Sequence, residues 1–155
     1  MAMNILGIDF EEWYHPELIK NHVKNDQKIP KIFKGIDTIL DLLNKHNISA
    51  TFFVVGEILQ HDPELIDKII SNDHEIAFHT MHHDRIDSPN FSNKFDDELK
   101  EFQKLTNDKS KGFRAPTFSL NKKSSFIIKM LEKYNYIYDS SIMPAKTSMY
   151  GNPNA

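Results

Sequence analysis

The chain contains no cysteine, and that absence removes disulfides, thiolate zinc sites, iron–sulfur clusters and a cysteine nucleophile from its possible chemistry. Any metal must rest on His, Asp and Glu. Long hydrophobic runs are also missing: a stretch such as Ala50–Val55 is far too short to cross a bilayer. Residues 1–30 lack a basic segment followed by an apolar one, so no export signal or membrane anchor is read from them and a cytoplasmic location is the expectation. There is no surplus of positive charge, the formal net charge being −3, so neither nucleic acid nor an anionic membrane is an expected partner. No internal repeat, low-complexity tract or linker is visible.

At 155 residues, 39% hydrophobic and 26% charged, the chain is long enough for one domain with a sizeable core, taken as residues 1–155. Asn4–Phe10 is a short apolar run that turns acidic, which reads as a buried strand carrying polar groups at its C-terminal edge. Residues 31–46 place Ile32, Phe33, Ile36, Ile39, Leu40, Leu42 and Leu43 largely along one helical stripe. Ser49–Val55 reads as a second strand ending at Gly56, and Asp62-Pro63-Glu64 as a helix start with Asp62 as cap. Glu75–Phe78 follows as a third strand, residues 92–106 as a helix, Gly112–Arg114 as a fourth strand, residues 122–134 as a helix and Tyr136–Tyr138 as a fifth strand. Apolar strands alternating with amphipathic helices imply a parallel sheet sheltered by helices, either doubly wound or closed into a barrel. In both arrangements functional groups collect at the C-terminal ends of the strands.

Three clusters fall at such ends: Asp9-Phe-Glu-Glu12, His79-Thr-Met-His-His83 and Arg114-Ala-Pro116. Side chains at i and i+2 of an extended segment share a face, so Asp9 and Glu11 project together, one available to a metal and one to proton transfer. His79 and His83 can converge in a helical turn or a loop, and with one carboxylate they make a three-ligand site with positions open for water and substrate. A neighbouring carboxylate can then accept a proton as water attacks a carbonyl. Plainer explanations exist for each cluster taken alone: solvated strand-end acids, a chance histidine pair, and a surface charge at Arg114. His74-Glu75-Ile-Ala-Phe-His79 has one residue too many for a His-Glu-x-x-His metalloprotease helix, and His74 and His82 are read as a strand-entrance residue and a neighbour pointing away from the site.

In this order the segments Gly7-Ile-Asp-Phe-Glu-Glu-Trp-Tyr-His15, Ala50-Thr-Phe-Phe53, His74–His83, Gly112-Phe-Arg-Ala-Pro-Thr-Phe-Ser119 and Tyr138-Asp-Ser-Ser-Ile142 resemble the polysaccharide deacetylase (NodB-homology) family. The likeness extends to the branch of peptidoglycan deacetylases and allantoinases, and to exopolysaccharide-associated deacetylases with a Tyr-Gly-x-Pro stretch like Tyr150–Pro153. The resemblance implies an α/β fold, a distorted (β/α)7 TIM-like barrel, truncated here after about five strands. It implies a bound zinc or similar divalent ion, and hydrolysis of an N-acetylated sugar or glycan to an amine and acetate. It assigns His79 and His83 to the paired-histidine ligands, Arg114 to orienting the catalytic carboxylate, and Asp139 to the pocket lining.

The first motif departs from the family's adjacent aspartates. Asp9 as base with Glu11 as ligand follows strand alternation, whereas a gapless alignment makes Glu11 the base and Glu12 the ligand. Trp13 stands where glycine is usual, which implies either a narrower mouth to the site or an aromatic face there for a sugar ring. The family also supplies a late histidine as general acid, and none of the eight histidines here follows His83. The expectation is therefore a fragment whose missing C-terminal part completes barrel and catalysis. A non-catalytic glycan-binding or scaffold module and a metal-free ureide hydrolase are the alternative functions.

Overall fold

In the computed structural model of the chain, residues 4–145, 147 and 151 are described. Along the chain run β1 (Gly7–Phe10), α1 (Glu17–Lys20), α2 (Ile36–Lys45), β2 (Thr51–Val54), α3 (Gly56–His61), α4 (Glu64–Ile70), β3 (Glu75–Phe78), α5 (Phe91–Leu105), β4 (Gly112–Phe113), α6 (Ile127–Lys133) and β5 (Tyr138–Asp139). Apart from Gly151, the Tyr150–Pro153 stretch lies outside the described residues.

All four strand pairings are parallel and the strand order is β1-β2-β3-β4-β5. A doubly wound sheet reverses its order at a switch point, and this one does not. Successive right-handed crossovers that never reverse put every helix on one face, as in the wall of a barrel. Among the described residues β1 and β5 are the two edges of the sheet.

Strand alternation then sorts the side chains. Phe10, Phe52, Val54, Ile76, Phe78 and Phe113 join the buried cluster with Ile36, Leu40, Ile69, Phe95, Leu99 and Phe102 from the helices. Phe78 lies at its centre, with ring centroids 4.4 Å from Phe102, 5.7 Å from Phe113 and 6.4 Å from Phe95. On the opposite face the Arg114 guanidinium carbon lies 3.8 Å above the Phe53 ring, and the Asp9 carboxylate reaches the same guanidinium. Gly112 is needed there because a Cβ would come within 2.1 Å of the Tyr138 phenol oxygen, which crosses over it.

Several boundaries differ from the sequence reading. The helix expected over 31–46 is split into a 3-10 turn, Ile32–Lys34, and α2, with Gly35 between them. Asp62 does not cap α4: it is the C-cap of α3, and Pro63 is the N-cap residue of α4 without a side-chain cap. α3 itself starts at Gly56, where only a strand end was expected. β5 is Tyr138–Asp139 rather than Tyr136–Tyr138, because Tyr136 turns into the core cluster. No helix among the described residues is long and apolar enough to cross a membrane.

Candidate active site

The C-terminal ends of β1, β3 and β4 bring the three clusters together. Glu11 leaves the end of β1 and its Oε2 lies 2.9 Å from His83 Nε2. That oxygen is buried and makes no hydrogen bond, and His83 Nδ1 is likewise buried without one. His79 and His83 sit in the loop after β3, not on a helix, with ring centroids 5.1 Å apart. Left-handed backbone at Thr80 (φ 61°) and His83 (φ 53°) turns the loop back so that both rings face inward. Such conformations cost a residue with a Cβ about 1 kcal/mol or more, so the surrounding contacts must hold them.

Those contacts are visible. Thr80 Oγ1 accepts the Asp84 amide at 3.1 Å, and the buried Glu98 carboxylate accepts the Met81 amide at 3.1 Å. Lys20 joins from α1, donating to the His82 carbonyl and to Asp84. His79 Nδ1 lies 2.7 Å from the Arg114 carbonyl oxygen. A carbonyl can only accept, so the imidazole proton is on Nδ1 and the Nε2 lone pair remains for a ligand role. Burial pushes the His79 pKa down to about 4, against the upward pull of the nearby Asp9 carboxylate.

Arg114 also uses its side chain. Its Nη1 donates to Asp9 Oδ1 at 2.7 Å, while Nη2 and Nε reach the Ser140 hydroxyl and carbonyl at 2.9 and 3.3 Å. The fork therefore fixes Asp9 against β5. Asp139 accepts from the Ser141 amide and hydroxyl at 3.0 and 2.6 Å, and burial pushes its carboxyl above the usual range. A cavity of about 360 Å³ is lined by Ile5, Thr51 and Glu75 from the starts of the strands together with Phe53, Arg114, Tyr138, Asp139 and Ser140; Asp9, Glu11, His79 and His83 do not line it.

Glu12 is placed elsewhere. Its buried carboxylate accepts the amides of Lys31 and Ile32 at 2.9–3.1 Å, closing the turn before α2. Trp13 donates from its indole to the Ile29 carbonyl at 3.0 Å and remains partly exposed with Lys31 over its ring.

Residues 25–136 match the polysaccharide deacetylase family. The chain belongs to that family. Among curated relatives of this deacetylase-family chain, a chitooligosaccharide deacetylase of Bradyrhizobium is 47% identical over 45 residues, 29% of this chain and 20% of the relative. The peptidoglycan-N-acetylmuramic acid deacetylase PdaA of Bacillus subtilis is 33% identical over 63 residues, 41% of this chain and 22% of the relative. The crystal structure of a Mycobacterium smegmatis protein assigned to the polysaccharide deacetylases superimposes with a TM-score of 0.71 at 23% identity, over 90% of this chain and 50% of that one. The chain thus spans half of that structure, and its matched stretches cover about a fifth of these curated relatives.

Sequence reasoning missed some of the neighbourhood. His82, read only as a neighbour of the site, has a partner of its own: its Nδ1 lies 2.8 Å from Glu57 Oε2. Buried His15 lies in the first motif, where nothing in the sequence gives it a partner. Ser140 and Ser141 were part of the Tyr-Asp-Ser-Ser segment, but serine beside an acid carries no signal until the fold shows whom it meets.

Proposed function

We propose that this site belongs to a metal-dependent hydrolase that removes N-acetyl groups from a sugar or polysaccharide. Glu11, His79 and His83 would hold a divalent ion, zinc by donor type; Asp9 is the base and Arg114 positions it. The carrying observation is the 2.9 Å approach of Glu11 Oε2 to His83 Nε2 without a hydrogen bond. A carboxylate oxygen and an imidazole nitrogen this close share either a proton or a cation, and ligands at about 2.0–2.2 Å from one ion stand roughly 3 Å apart. Among the described residues the three donors do not close into a ready cage; the donor chemistry and the orphaned carboxylate oxygen are what fit an ion.

Bound there, such an ion supplies Lewis acidity, polarising an acetamido carbonyl and acidifying a water. The remaining work falls to the chain. Asp9, pinned by Arg114 at 2.7 Å, is the proton acceptor for the attacking water. Arg114 adds order twice, through its side chain on Asp9 and through its carbonyl on His79 Nδ1.

The test is to titrate the chain with zinc against a chromophoric chelator and to follow acetate release from an N-acetylated chitooligosaccharide. One ion per chain is expected, and His79→Ala and His83→Ala should remove both binding and release. Acetate release that survives in these variants would end the proposal. An active metal-free preparation would select the ureide-type hydrolase instead, and glycan binding without release the scaffold module.

A further inference from the structure

β2 lies between the two strands whose ends carry the proposed ion-binding side chains, and contributes none of them. It contributes Glu57, in the first turn of α3 directly after the strand. One Glu57 carboxylate oxygen lies 2.7 Å from His15 Nε2 and the other 2.8 Å from His82 Nδ1. His15 belongs to the loop after β1 that holds Glu11, and His82 immediately precedes His83.

The tautomer of His15 is fixed locally. The Glu12 amide donates to His15 Nδ1 at 3.1 Å, so the ring proton is on Nε2 and points at Glu57. The buried His15 ring also lies nearly parallel to His83, with centroids 6.1 Å and planes 13° apart. These three side chains are not a second metal site, since the ring nitrogens facing Glu57 donate to it.

We propose that Glu57 is a positioning residue: its carboxylate clamps the loop after β1 to the loop after β3 and so keeps Glu11 and His83 at coordination distance. The proposal rests on the ion site inferred above. Groups that orient metal ligands typically contribute about 10–100-fold in affinity, and that is the effect to look for.

The experiment measures zinc affinity of the full chain by chelator competition and the visible spectrum of its cobalt(II) form, in wild type, Glu57→Ala, His82→Ala, the double variant and His83→Ala. Glu57→Ala should bind zinc about 10–100-fold more weakly, with an altered cobalt spectrum. His82→Ala should lose several-fold, and the double variant should be no weaker than Glu57→Ala, because both changes cut one link. His82 is half exposed (51% of its side chain), so this variant decides the matter if Glu57→Ala fails to fold. Zinc affinity and cobalt spectrum unchanged in His82→Ala, or losses that simply add in the double variant, would overturn the clamp. If His83→Ala loses zinc while the Glu57 and His82 variants keep it, only the clamp falls. If His83→Ala binds like wild type, the ion site itself falls and takes the clamp with it.

Discussion

Glu11 and Glu12 are adjacent and serve different ends, which makes them a sharp test at the scale of single residues. Glu12 accepts buried amides from Lys31 and Ile32, and leaving those donors unsatisfied costs about 1–3 kcal/mol. Glu12→Ala is therefore predicted to lower the unfolding free energy by that amount in urea titration, with zinc affinity changed less than about threefold against the 10–100-fold expected of a ligand-orienting group. Glu11→Ala should do the reverse, abolishing zinc binding with little loss of stability. Arg114→Lys keeps the cation but not the fork that spans Asp9 and Ser140. Zinc binding should survive in that variant, while acetate release falls by about 10²-fold or more, the usual weight of a well-placed general base. The i, i+2 relation of Asp9 and Glu11 was open to strand reasoning alone. The capping task of Glu12 was not, since its partners lie about twenty residues on in a turn that no periodicity announces.

At the level of elements, the aromatic stack behind β3 dominates. Phe78 and Phe102 are fully buried, with centroids 4.4 Å apart, and truncating either to alanine should cost about 3–5 kcal/mol, read from denaturant midpoints at constant m-value. Gly112→Ala tests β4 and β5: its Cβ would meet the Tyr138 phenol at 2.1 Å, and a forced shift of this kind costs about 1–3 kcal/mol. β3 matched its expected bounds, Glu75–Phe78, and α5 nearly so, because a short apolar run, Ile76-Ala77-Phe78, and a long 3.6-residue period are strong local signals. α3 was invisible for the opposite reason: six residues are too few to show a period, and Gly56 reads as a stop. Glu57 was hidden with it, an ordinary acid in a first helical turn until the neighbouring loops are in place.

For the whole molecule, acid stability follows from the site. An imidazole held near 4 in the folded chain, with an ordinary value near 6.5 when unfolded, takes up a proton more readily after unfolding. Its contribution is complete above about pH 6.5 and is lost as the pH falls toward about 4. In chelator-treated protein the unfolding free energy should decline through that window, and His79→Gln should flatten the decline, as a urea series at stepped pH would show. The parallel α/β class was legible from alternation alone. Its strand order was not, because crossover handedness permits both an arc and a doubly wound sheet, and only the observed pairing distinguishes them.

The contact between Asp9 and Arg114 joins positions 105 residues apart, across three crossovers of a sheet that admits no tight hairpin between neighbouring strands. During synthesis Asp9 and its guanidinium partner cannot meet until the chain through β4 is available, so the proposed base is fixed in place late. Refolding should show secondary structure by circular dichroism well before the contact between Asp9 and Arg114 forms.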